Sequence, residues 1–329
     1  MPDPTPAPRV SFVVPVRNDA ARLQRCLASI ARTCAGTPHE VIVADNGSTD
    51  RSRDVAREAG ARVLEMPGRR VSKMRNEAAT QARGPLLAFV DADHELASGW
   101  APAALDVMAD PTVSAAGAQY HAPSDGTWVQ RMYDRLRRHQ PGIRQTGWLP
   151  SGNLIVRTGV FTSLGGFDTA LETCEDVDFC QRLVASGGRL LETDRMGSIH
   201  FGDPATLRAL FLGELWRGRD NLTVSLRGPL TPRALPSILL PIGNLIGLLL
   251  IGAGLLAVPF AGPEIAAAGI VMVSAVTALR WAALLRPQAA APSLSGAEIL
   301  QAGAVAAAYT TARSLALVVR TGHDTRKRG

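Results

Sequence analysis

Six groups of residues carry side chains suited to chemistry. Asp91 and Asp93 close the run LLAFVDAD. Two carboxylates at i and i+2 leave a strand end on one side. A hard divalent cation, Mg2+ or Mn2+, takes such oxygens together with substrate phosphates and neutralises charge on a departing diphosphate. Their place after a buried strand, beside the other clusters, favours that role over a solvated turn. Asp45 opens DNGSTD after a second apolar run. That segment reads as a turn followed by a helix cap, or as a carboxylate that accepts hydrogen bonds from a nucleotide base. Glu175-Asp176 precedes a helical pattern. The pair either compensates the helix dipole or supplies a general base, since adjacent acids raise one another's pKa. Lys73, Arg75 and Asn76 form either a solvated helix face or a cationic face for a diphosphate. His200 fits a structural role, a metal ligand or a diphosphate donor. Trp216-Arg217-Gly218-Arg219 fits interfacial anchoring or a grip on phosphate.

These residues need elements to position them. Val10–Val16 (VSFVVPV), Val41–Ala44 and Leu86–Val90 are short apolar runs of the buried-strand type, and Arg62–Leu64 is a shorter one. Helical patterns fill the intervals: Ala20–Arg32, Asp54–Ala59 and Val71–Ala82. Strand and helix alternate over short links, which predicts a doubly wound, mostly parallel α/β sheet. Ligands bind such sheets beyond the carboxyl ends of the strands, where Asp45, Asp91 and Asp93 fall. Further on, Trp128–His139 is a basic, aromatic helix, Leu154–Val156 a strand and Val177–Ala185 a helix.

The 329 residues allow one catalytic domain plus an appendage, or two small domains. The apolar content concentrates after Leu235. No charged residue occurs from Ala234 to Pro263, more than the ~20 residues that cross a bilayer. We expect a disordered lead at 1–9, a catalytic domain at 10–225 and a membrane region at 226–329. Its spans fall at about 235–259 and 265–286, where Arg280 can snorkel. The segment 298–319 carries Arg313, costly inside a bilayer, and is expected as an interfacial helix rather than a third span. Arg217, Arg219, Arg227 and Arg233 precede the first span, and Arg280 and Arg286 close the second. The link between them has no Lys or Arg. That distribution predicts a multi-pass protein of the cytoplasmic membrane with its catalytic domain in the cytoplasm; the tail Arg326-Lys327-Arg328 fits that side if 298–319 does not cross. Met1–Arg9 has no apolar h-region.

A net charge of +6 suits a membrane surface or phosphorylated substrates. No zinc-finger spacing or basic-aromatic repeat supports a nucleic-acid partner. Four cysteines without a CxxC pair are expected as reduced thiols.

VSFVVPVRND, VIVADNGSTD, KMRNEAATQARGPLLAFVDAD, GGFDTALETCEDVDFCQRL and the His200 segment occur in the order seen in family 2 glycosyltransferases, which the chain resembles over roughly Val10 to Arg219. The resemblance implies a GT-A fold, a nucleotide-diphosphate sugar donor, a divalent metal and inversion at the anomeric carbon. Carried over by position, Pro15 and Asp45 would border the nucleotide, Asp91 and Asp93 would serve metal and diphosphate, with Asp93 the direct ligand, and Asp176 would be the base, with Glu175 its rival. The QxxRW motif of processive synthases is absent, so transfer of a single sugar is expected. Members with C-terminal spans commonly use lipid-linked acceptors, so the expected acceptor is lipid-linked or a glycan at the membrane. Two other readings compete. A nucleotidyltransferase would want a Gly-rich loop after the first strand, where Val16-Arg17-Asn18-Asp19 stands. A non-catalytic membrane-bound scaffold would not need Asp91, Asp93 and Asp176.

Overall fold

The computed structural model describes residues 6–137, 141–229, 231–232, 234–261, 263–287 and 293–319. Residues 1–5 of the expected lead, His139, Arg233 and the Arg326-Lys327-Arg328 tail lie outside the described residues. The chain forms two compact units, one from 6–123 with 141–203 and the other from 124–137 with 204–319.

The first unit begins with β1 (Val10–Val16), α1 (Ala20–Thr33), β2 (His39–Asp45), α2 (Ser52–Glu58), β3 (Arg62–Glu65), α3 (Val71–Ala79) and β4 (Leu86–Val90). It continues with β5 (His94–Leu96), α4 (Trp100–Val107) and β6 (Val113–Gly117). After α5 (Trp128–Asp134), which belongs to the second unit, come β7 (Ile143–Gln145), β8 (Asn153–Arg157) and α6 (Thr158–Ser163). α7 (Glu175–Ala185), β9 (Arg189–Thr193) and β10 (Ser198–His200) complete it.

Eight strands make one sheet in the order β3-β2-β1-β4-β8-β6-β9-β7. The first four are parallel, and β8 enters antiparallel between β4 and β6. Helices cover both faces, so the central strands are apolar at nearly every position. Along β1, Val10, Phe12 and Val14 face one core with Leu23, Ile30 and Trp100. Val13 faces the other, with Phe89, Phe161, Phe167 and Phe179.

Two consequences position the functional residues. The carboxyl ends of β1, β2 and β4 share one edge, with Val16 opposite Asp45. The antiparallel β8 brings Ser151 and Gly152, just before its first residue, to that same edge, where the Asp91 N–H reaches the Gly152 carbonyl at 3.4 Å. A separate two-stranded ladder joins β5 to β10 and pairs His94 directly with His200, so the two side chains share a face.

In the second unit, α8 (Leu207–Arg217), α9 (Asn221–Arg227), α10 (Leu235–Ala261), α11 (Glu264–Leu285) and α12 (Gly296–Leu315) follow in order. Both α5 and α12 start with a capping box, Thr127 with Gln130 and Ser295 with Glu298. α12 buries Ala302, Val305 and Ala306 against Val129, Met132, Leu210 and Leu284. Its Arg313 reaches the fully buried Glu214 at 2.7 Å. α10 and α11 are long and apolar enough to cross a membrane, by length and composition. Only 28% and 17% of their most apolar windows are buried, whereas the core helix of a soluble domain would be mostly covered. Large side chains stay exposed, including Leu249, Leu256 and Val271. Close packing of the two helices relies on small residues: a Cβ on Gly254 would run into the Ala266 backbone.

Asn153 ties the first unit together. Its side chain accepts from the Trp100 indole at 2.7 Å and donates to the Ala118 and Met196 carbonyls, all buried. Asn153→Ala strands these groups, each worth about 1–3 kcal/mol. Thermal denaturation should show a loss of about 3 kcal/mol or more, and Asn153→Asp, which sets a carboxylate against the two carbonyls, should not restore it.

Candidate active site

The expected residues of the first unit gather at the sheet edge described above. Asp91 follows β4, and Arg75 rises to it from α3. The Arg75 guanidinium, 3% exposed, holds Asp91 Oδ1 at 2.5 Å and Glu175 Oε1 at 2.8 Å. One buried cation therefore joins the first carboxylate of the DxD to the acidic pair that heads α7. Cys174, in the left-handed region at φ 61°, turns the chain into that helix. Asp176 beside it is half-buried, and its carboxylate accepts from the Ser151 and Val177 N–H groups and the Trp148 indole. Burial pushes the Glu175 carboxyl up, and the neighbouring Asp176 adds to that despite Arg75. Burial likewise raises Asp176, and its three donors and Arg75 offset this only in part.

On the other side of the DxD, Asp93 Oδ2 lies 3.3 Å from His200 Nε2. The His94 and His200 rings are 4.7 Å apart, and Tyr120 packs on both. One ligand atom each from Asp93, His94 and His200 falls within 4.8 Å of the others, a possible metal-binding triad. Each imidazole is oriented through its other nitrogen: His94 Nδ1 meets Ser198 Oγ at 3.1 Å, and His200 Nδ1 meets Asp203 Oδ1 at 2.7 Å. A carboxylate behind a histidine is the arrangement that fixes ligand orientation at metal centres. Burial pulls the His200 pKa down, but Asp93 and Asp203 outweigh it and raise it to about 9.

Glycine makes room for both halves. A Cβ on Gly152 would come within 2.7 Å of Asp91 Oδ2 and 3.1 Å of His94 Nε2. A Cβ on Gly202 would overlap Asp93 Oδ2 and crowd His200 Nε2 at 2.8 Å.

Asp45 ends β2 on the same edge. It is fully buried; Oδ1 takes the Ser48 N–H at 3.0 Å, and Oδ2 has no hydrogen-bond partner among the described residues. Pro15 is on β1, opposite Ala44. Asp45 and Asp91 are two strands apart, roughly 10 Å. Lys73 and Arg75 point about 200° apart around α3; Lys73 pairs with Glu77 at 3.9 Å and does not join the Arg75 bridge. Arg217 and Arg219 belong to the second unit, where Arg217 meets Glu214 at 3.0 Å.

Residues 11–164, a little under half of the chain, match the family model for glycosyl transferase family 2. Residues 11–164 thus resemble a family 2 glycosyltransferase domain. Among curated proteins, the chain is 28% identical over 194 residues to the pre-mycofactocin glycosyltransferase of Mycobacterium tuberculosis, covering 55% of this chain and 40% of that one. It is 28% identical over 191 residues to the glycosyltransferase AglE of Haloferax volcanii, covering 55% and 62%. The chain thus spans about half the length of these relatives. Among solved structures, the mannosyltransferase PcManGT from Pyrobaculum calidifontis, in complex with GDP-Man and Mn2+, aligns over 96% of this chain and 88% of that one, with a TM-score of 0.56 and 21% identity. That likeness shows the fold, a GT-A fold with apolar helices at its C-terminal end.

Three groups of this site were not anticipated from the sequence: His94, Tyr120 and Asp203. His94 directly follows the DxD, and Asp203 is three residues after His200, so the spacing was visible. The β5–β10 pairing that brings them together was not.

The raised acidic pair has a measurable signature. A carboxyl whose folded pKa exceeds its unfolded value of about 4 binds more protons when folded, so its stabilising effect is full at low pH and fades as pH rises above that value. Asp176→Asn removes one buried charge. In EDTA it should raise thermal stability at pH 8, by an amount on the order of 1 kcal/mol, and have little effect at pH 4. A pH-independent difference would contradict the assigned cause.

Proposed function

We propose that this protein transfers a sugar, with inversion, from a nucleotide-diphosphate sugar to a membrane-associated acceptor, lipid-linked or glycan, using a divalent cation. The observation that carries this reading is the convergence at one sheet edge of a cation-type ligand set, Asp93, His94 and His200, with a buried acidic pair of raised pKa.

The ligand set fits a metal. One carboxylate and two imidazoles, each imidazole oriented from behind, make a mixed O/N site, which favours Mn2+ over Mg2+. When bound, the cation supplies positive charge that stabilises the diphosphate as it leaves. The protein's residues do the rest. The orphaned Asp45 Oδ2 is a buried acceptor suited to an N–H of the nucleotide base, with Pro15 beside it on the next strand. Arg75 fixes Asp91 and Glu175, so that Asp176 is the carboxylate of the pair left to serve as base. Lys73 is a candidate phosphate contact. In the reaction, the acceptor hydroxyl oxygen bonds to the anomeric carbon from the face opposite the diphosphate. The bond from that carbon to the diphosphate oxygen breaks with its electron pair leaving on the diphosphate, and the hydroxyl proton passes to Asp176. A carboxylate with a raised pKa is suited to take that proton near neutral pH.

Membrane attachment rests on α10 and α11, whose apolar surfaces stay uncovered. The arginines flanking them support a catalytic domain on the cytoplasmic side.

The test is turnover of a panel of nucleotide sugars with host membranes, followed by mass analysis of the glycosylated product. Asp93→Ala should lose Mn2+-dependent donor hydrolysis and donor binding together. Asp176→Asn should bind donor normally in calorimetry while kcat falls by roughly 10²–10⁴. Full activity in Asp176→Asn would remove it as the base.

A further inference from the structure

The second unit carries a half-open cavity of about 250 Å3 between α9, the first turns of α10, the last turns of α11 and the C-terminal half of α12. Its charged lining is cationic only: Arg280 from α11 and Arg313 from α12. Both guanidinium groups stack on one ring, Tyr309, at 4.8 and 5.3 Å from its centroid. Arg313 has Glu214 at 2.7 Å. Arg280 pairs with no carboxylate among the described residues, and its buried Nε has no hydrogen-bond partner there. Thr310, 4% exposed, also lines the cavity, and its hydroxyl is likewise unpartnered.

A guanidinium in an apolar helix is costly to leave without a partner, and cation–π contact recovers only part of that cost. Stacking two cations on one ring without a second anion makes the imbalance worse. The missing partner is thus an anion beside Arg280, with the Thr310 hydroxyl and the Arg313 guanidinium, itself tied to Glu214 and the Arg217 carbonyl, close by. That donor set matches the oxygens of a phosphate. The remaining wall is Asn221 and the apolar Pro236, Leu240 and Pro241 of α10. Beyond it, α10 and α11 expose a long apolar surface.

We propose that this cavity binds the phosphate of an amphiphile, with Arg280 and Arg313 on the phosphate oxygens and the chain along α10 and α11. The assignment of this amphiphile as the acceptor rests on the transferase reading above; the binding itself does not.

The test uses the full chain in detergent, with native mass spectrometry counting bound phosphatidic acid and inorganic phosphate as competitor. Wild type should retain phosphatidic acid. Arg280→Gln, which removes a charge-assisted contact, should weaken it by at least about tenfold, and Arg280→Lys should fall between the two. Thr310→Val, a smaller change to the fold, should weaken it in the same direction. Equal retention by wild type and Arg280→Gln overturns the site. Displacement by inorganic phosphate at an equal concentration overturns the amphiphile and leaves a free-phosphate site. Asp93→Ala, which stops donor hydrolysis under the transferase reading, should bind phosphatidic acid as wild type does, so the two ideas can fail separately.

Discussion

A single buried guanidinium holds the catalytic edge in register. Arg75 comes from α3, yet its two partners come from the end of β4 and the start of α7, 16 and 100 residues away. Without a cation between them, Asp91 and Glu175 would repel one another in a medium where charge is poorly screened, and the loss of one partner from such a buried set is worth about 3–5 kcal/mol. The bridge also separates the acids: it occupies Asp91 and Glu175, while Asp93 faces His200 and Asp176 takes backbone N–H groups.

Much of this was visible in the residues. The apolar runs of β1, β2 and β4 gave the parallel half of the sheet, because strands covered on both faces are apolar throughout. The acidic clusters fell at their carboxyl ends for the same reason. The second half was harder. β6, β7 and β9 are short and paired out of chain order, and β8 runs antiparallel between β4 and β6, a reversal that local pattern cannot encode. The His94–His200 pairing belongs to a three-residue ladder, too short to leave a periodic signal. The Arg75 bridge was half legible: its charge marked it as a phosphate contact, but nothing local showed that two carboxylates would engage it.

The helical unit follows a similar logic with opposite composition. Glu214 is fully buried at the foot of α8 and receives Arg313, Arg217 and the Tyr133 hydroxyl. Burial alone would raise its carboxyl, yet the two arginines hold it below the usual carboxylate range. The arginine that seemed too costly for a spanning segment thus has a carboxylate to meet, and α12 packs as a core helix of its unit. α10 and α11 differ because their apolar faces have no such cover within the described residues.

The segment that carries α5 interrupts the catalytic unit in the sequence. Tyr133 waits 81 residues for Glu214, and Val129 and Met132 wait longer still for Ala302 and Val305 on α12. During synthesis α5 emerges with an apolar face whose covering helices do not yet exist, so the helical unit can close only after α12 has been made. A chain stopped after residue 203 would carry the whole sheet but leave α5 stranded, an exposed greasy flap that invites aggregation.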